Sequence, residues 1–377
     1  MNRKRVLFWY EMGNLKWFLL GGLLLSGVLL GALGSALGDL SESAAMTRSM
    51  GWAFGHAPTF GQTLLQMLEF ATPAAIVLLG VMGAYQFSDY HKRNKREFIV
   101  SLPFTQQERF LMKGITGFGV ITVVWLVFGT GIFALRAVYY PQIIRNYLLY
   151  PEYKIIMAND TWLHTFRTLM LVWLIMLAAY AVYMLICSVV IHGVAGILVS
   201  IGTMAAPAWL LLQILAYTEA IGGTDAGDAF VKWLNHHDTF YRLCLIFTGQ
   251  KSYYQNEFLL SSDSYAEGDM VGSFALVSYG YMTKLFIALP LILLLLLAIT
   301  WCINTKQDGA RFGRLVPFKP ARIILDAGIA VCFGSGITWI LIMIFEVGSL
   351  YLTLFLLAVV FAGLFMLTDK ILKRVIR

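Results

Sequence analysis

Residues able to do chemistry are few and scattered in this 377-residue chain. His236, His237 and Asp238 form the cluster that comes nearest to a metal site. Adjacent histidines rarely aim at one ion, and no second ligand set follows, so a surface polar cluster is expected instead. Cys187, Cys244, Cys302 and Cys332 have no CxxC spacing, which excludes a disulfide framework or a zinc set. The chain holds no GxxxxGK(S/T) phosphate loop, no HExxH, no GxSxG and no GxGxxG set between a strand and a helix. It is therefore not expected to be an enzyme or to carry a cofactor of its own. Glu69, Arg136, Asp326 and Glu346 fall near the ends of apolar runs. An interfacial position is expected for each, and a buried place in a substrate path is the sharper alternative. No run carries a charge at its centre. That argues against an ion-coupled carrier and suits a conduit for amphipathic or apolar cargo.

Charge concentrates instead in residues 89–113, DYHKRNKREFIVSLPFTQQERFLMK. Lys92, Arg93, Lys95 and Arg96 lie within five positions, followed by the apolar piece Phe98-Ile99-Val100. Pro103 lacks an N–H and disfavours a helical Leu102, so a helix breaks there. Thr105 can cap a new helix, with Glu108 three residues on closing a capping box. An amphipathic helix, a proline break and a capped helix entering an apolar run are the expected elements. A bland alternative stays open: a basic loop between two spans, fixing orientation and nothing more.

This segment resembles the first cytoplasmic loop of ABC-2 type transporter permeases. The likeness rests on an acidic residue (Glu97), the apolar cluster from Phe98, the Leu102-Pro103 pair, the polar helix start Thr105 to Arg109, and Lys113. The family often has arginine just after the capping residue, where this chain has Gln106. The resemblance implies a coupling helix that docks on a separate ATPase chain. The implied contacts are Glu97, Phe98, Leu102, Pro103, Phe104, Thr105, Glu108, Arg109 and Lys113. It also implies ATP and Mg on that partner, and a second permease subunit, identical or related.

The elements positioning this loop follow from composition. The chain is 59% hydrophobic and 13% charged, against about 25% charged in a soluble domain. The expected fold class is an all-α polytopic membrane protein in the lipid bilayer. Net charge +7 does not imply nucleic acid, because the basic residues flank apolar runs. Residues 1–16 read as a cytoplasmic interfacial helix. Residues 17–218 hold transmembrane helices one to five, around the coupling loop at 89–113. Residues 39–66 and 139–167 read as external connections, Pro207 as a kink in the fifth span, and 219–280 as an extracytoplasmic segment. Residues 281–303 form the sixth span, 304–322 a basic inner loop, and 323–377 two more spans and a basic tail. Eight spans result: a six-helix core of the ABC-2 type plus two C-terminal helices. The first, from Trp17 to Leu37, exceeds the roughly 7–15 residues of a signal-peptide core and is expected to stay as an anchor. Nineteen of the 28 lysines and arginines fall in the four inner segments, which places both termini in the cytoplasm of a cell-membrane protein.

The 219–280 segment mixes acids with aromatics, too many for simple disorder. Helices are expected from about residue 225 to 247. There Phe230, Trp233, Leu234 and His237 share a face at i, i+3, i+4 and i+7. That face is read either as an exit gate or as packing onto the spans. Three functions remain in play: the permease subunit of an exporter; an immunity or sensor subunit that captures a ligand such as an antimicrobial peptide; and a lipid-modifying enzyme. The enzyme needs polar groups clustered at one membrane depth, and the sequence offers none.

Overall fold

A computed structural model describes residues 3–50, 60–87, 104–147, 160–190, 193–247, 280–305, 319–345 and 349–374. Among these residues the secondary structure is all helical. In chain order the helices are α1 (Arg3–Met50), α2 (Phe60–Phe87), α3 (Gln106–Tyr147), α4 (Trp162–Val189), α5 (Gly193–His236), α6 (Asp238–Cys244), α7 (Gly280–Thr305), α8 (Lys319–Phe345) and α9 (Leu350–Arg374). Eight of them, all but α6, are long and apolar enough to cross a membrane. The protein is a polytopic all-α membrane protein, as its composition dictates. Lipid offers the backbone no hydrogen bonds, so each spanning segment must satisfy its own.

Several boundaries differ from the sequence reading. α1 is one unbroken 48-residue helix, about 72 Å long at 1.5 Å per residue. It contains both the expected interfacial piece and the first span, and it runs on into the expected outer loop. No proline or β-branched run interrupts residues 3–50, so nothing stops the helix at position 16. α3 likewise continues through Pro141 to Tyr147, where an external connection was expected. In α5, Pro207 lies within continuous helix, and the break comes at Gly223, whose φ is 74°. Glycine accepts that left-handed conformation without a Cβ penalty. The expected helices beyond residue 225 are present, as the end of α5 and the whole of α6.

The helices distribute over two compact units. One takes α1, α2 to Ile76, α3 from Lys113, α4 to Ala178 and α7 to Leu291. Its core includes Leu15, Leu33, Phe60, Leu64, Ile132, Val172 and Ile175, all buried. Leu30 and Val124 press against Gly131 and Gly22, so α1 and α3 approach closely where a side chain is missing. The other unit takes α2 from Val77, α3 to Met112, α4 from Ala179, α5, α6, α7 from Ile292, α8 and α9. Tyr180 and Tyr183 are fully buried in it. The Tyr183 ring lies over Gly80 and Gly83, and the Tyr180 hydroxyl donates to Gln86. The C-terminal hairpin α8–α9 packs on α5 through α8. Trp209 Nε1 donates to the Cys332 carbonyl at 3.0 Å, and the Tyr217 hydroxyl donates to the Ser335 carbonyl. Gly336 makes room for the Trp209 ring.

Candidate functional site

The start of α3 is built as the loop residues predict. Glu108 N donates to Thr105 Oγ1 at 3.2 Å, and Thr105 N donates to Glu108 Oε2 at 3.0 Å. This reciprocal pair is the capping box read from the sequence, and it satisfies two amides that the helix leaves open. Arg109 adds a bond from Nη2 to the Phe104 carbonyl at 2.8 Å, holding the chain as it enters the helix. Phe104 and Arg109 are half-buried and Thr105 is exposed. Phe110 meets Trp301 of α7 edge to face at 6.1 Å. Glu97, Phe98, Leu102 and Pro103 lie outside the described residues.

Lys113 stands apart from the others. It is 3% exposed and pairs with Glu11 of α1, also 3% exposed, at 3.2 and 3.4 Å to the two carboxylate oxygens. That ion pair ties α3 to α1 inside the first unit. A buried lysine needs such a counter-charge, since desolvation without one is costly. Glu11 was not singled out in the sequence. It is, however, the one acid among the sixteen residues of a basic N-terminal stretch, which was the available signal.

A second polar centre surrounds Arg136. Arg136 is fully buried inside the protein, where it finds its counter-charge. Arg136 Nη1 donates to Asp160 Oδ1 at 2.7 Å and to Thr165 Oγ1 at 2.7 Å, and neither side chain of the ion pair has any exposure. Nη2 donates to the Asp160 carbonyl. Phe60, Tyr140 and Trp162 put ring faces 5.0, 4.2 and 5.2 Å from the guanidinium carbon. Asp160 Oδ2 accepts from Gly61 N at 3.1 Å, and the Tyr140 hydroxyl donates to the Asp160 carbonyl at 2.8 Å. The cluster joins the first turn of α2, the last third of α3 and the approach to α4. The cluster's hydrogen bonds and ion pair hold these three helices together. Asp160 lies 24 positions from Arg136 in a stretch read as a connection, so spacing gave no cue to the pair.

Asp326 is also buried, and its Oδ2 lies 3.8 Å from Arg322 Nε one turn earlier. Arg322 bonds Asp369 of α9 in addition. Glu69 is half-buried, while Glu346 lies outside the described residues.

The predicted aromatic face exists in part. Leu234 is buried, whereas Trp233 and Phe240 are 46% and 49% exposed, and His237 is exposed too. Trp233 is the hub: Phe230 stacks at 5.9 Å, His237 lies at 4.5 Å, and Phe240 meets its edge at 6.2 Å. Leu234 thus packs inward while the rings form an outward ledge. Beyond the ledge, burial raises the Cys244 thiol above its ordinary pKa. No family model, curated protein or solved structure matches the chain.

Proposed function

We propose that the chain is the permease subunit of an ABC-2 type exporter, working beside a cytosolic ATPase chain and a second permease subunit in the cell membrane. The capped start of α3 is the observation that carries this reading. A lever that receives force from outside the bilayer needs a helix whose first turn does not fray. The capping box and the Arg109–Phe104 bond supply that. The Lys113–Glu11 pair, less than two turns further on, passes displacement from α3 to α1. Lys113 thereby serves inside the subunit, and the outer contact falls to Phe104 and the residues before it. ATP and Mg belong to the partner chain. Trp233 and His237 form the exposed part of the extracytoplasmic gate, with half-buried Phe230 beside them and Leu234 as its inward anchor.

Purification from native membranes tests this, with ATP-driven efflux from vesicles as the readout. The complex should contain an ATP-hydrolysing chain, and Phe104→Asp should uncouple hydrolysis from transport while leaving the protein in the membrane. A chain that purifies without ATPase activity, yet still binds an antimicrobial peptide, overturns transport in favour of the sensor function.

A further inference from the structure

We infer that the aromatic ledge around Trp233 seats in the headgroup layer of the bilayer, making the end of α5 and α6 a surface-lying anchor. This does not rest on the transport reading, and it replaces the gate role of these rings with a lipid-facing one. The first argument is length. From Gly193 to the break at Gly223, α5 rises through roughly 30 residues, about 45 Å at 1.5 Å per residue. A bilayer with its headgroups is about 40–45 Å thick. A span that starts at one surface therefore reaches the other where the positive φ of Gly223 breaks the helix.

The second argument is the sorting of side chains beyond that break. Gly227 and Leu234 are buried, so one stripe faces the protein. Trp233, His237 and Phe240 form the exposed ring cluster on the adjoining stripe, with half-buried Phe230 stacked against Trp233. Asp225, Asp228 and Lys232 are exposed and by helical spacing share a third flank, away from the rings. Rings with an apolar body and a polar edge concentrate where hydrocarbon meets water. A helix with one aromatic flank and one charged flank lies in that plane. Earlier on the same helix, within the span, Leu212 and Ile214 are exposed apolar residues. The occupant that fits both is lipid.

Spin labelling of the full chain in liposomes decides the matter. Cys187, Cys244, Cys302 and Cys332 are first replaced by alanine. Labels then go on Trp233→Cys, Phe240→Cys and, as a water-facing control, Asp228→Cys. The expected result is that oxygen, which dissolves in lipid, relaxes the labels at 233 and 240 severalfold faster than a water-soluble nickel chelate does. The order should reverse at 228. Two results overturn the inference. In one, nickel reaches 233 and 240 as readily as 228, which makes the ledge an aqueous surface open to cargo. In the other, neither reagent reaches them, which means that protein covers the ledge. Labels placed on exposed positions do not disturb the core, and an unchanged elution profile in detergent verifies folding.

Discussion

Replacing Asp160 with alanine isolates the most demanding interaction in the described structure. The substitution leaves the Arg136 guanidinium buried with zero exposure and no counter-charge. Breaking a buried ion pair from one side costs about 3–5 kcal/mol, because the remaining charge stays desolvated. Here Asp160 also accepts from Gly61 N, and a buried amide left unsatisfied adds a penalty of about 1–3 kcal/mol. The two losses overlap at one carboxylate, so the upper end, about 5 kcal/mol, is expected. Asp160→Asn keeps the volume but leaves one acceptor oxygen for two donors, Arg136 Nη1 and Gly61 N, and also leaves the arginine without a counter-charge. It should lose about 3 kcal/mol, the lower end for a buried pair broken from one side. Arg136→Leu with Asp160→Ala removes both charges and should recover much of the single-variant loss, giving a coupling energy of up to about 3 kcal/mol. The assay is reversible unfolding in mixed micelles with increasing denaturing detergent, read by circular dichroism. An Asp160→Ala protein within about 1 kcal/mol of the parent, or a double variant no better than either single one, refutes a desolvated pair caged by three rings.

Three further outcomes follow from local geometry. Thr105→Ala should destabilise the α3 start by about 1 kcal/mol, the usual worth of an N-cap, and hydrogen exchange at Glu108 and Arg109 should accelerate about fivefold. Gly80→Val should cost about 1–3 kcal/mol by overpacking, since a Cβ there meets the Tyr183 ring at 2.7 Å. Tyr183→Leu in the same chain should restore the melting temperature in part. Cys244, with its thiol raised by burial, holds less thiolate than a free cysteine at neutral pH. Its maleimide labelling should therefore lag an exposed cysteine near pH 7, and the gap should close as pH rises past the ordinary thiol range.

Span number and helix type were legible because they follow from composition: a run of about twenty apolar residues has one stable form in lipid. The Thr105–Glu108 box was legible because both partners lie within one turn. Tertiary pairing was not. Glu11 and Lys113 are 102 positions apart, and nothing local marks either as the other's partner. Arg136 near a span end looks the same in sequence whether it snorkels to water or meets Asp160, and only the fold decides. Polar composition alone does not end a helix. Residues 39–50 are polar but contain no strong helix breaker other than a permissive start in Gly38-Asp39, so α1 continues. The break in α5 falls at Gly223, whose positive φ no local composition rule singles out.

The docking of α8 on α5 has a consequence for genetics. Trp209 and Tyr217 grip main-chain carbonyls, those of Cys332 and Ser335. A carbonyl is present whatever residue bears it, so changes at Cys332 that keep the volume should leave the bond intact, while buried Ser335 is limited by space and not by its acceptor role. Constraint falls on the donors and on Gly336, where a Cβ would come within 3.1 Å of the Trp209 ring. The hairpin can thus drift in sequence at Cys332 while keeping its berth. A search for its attachment that tracks variable side chains on α8 would look on the wrong helix.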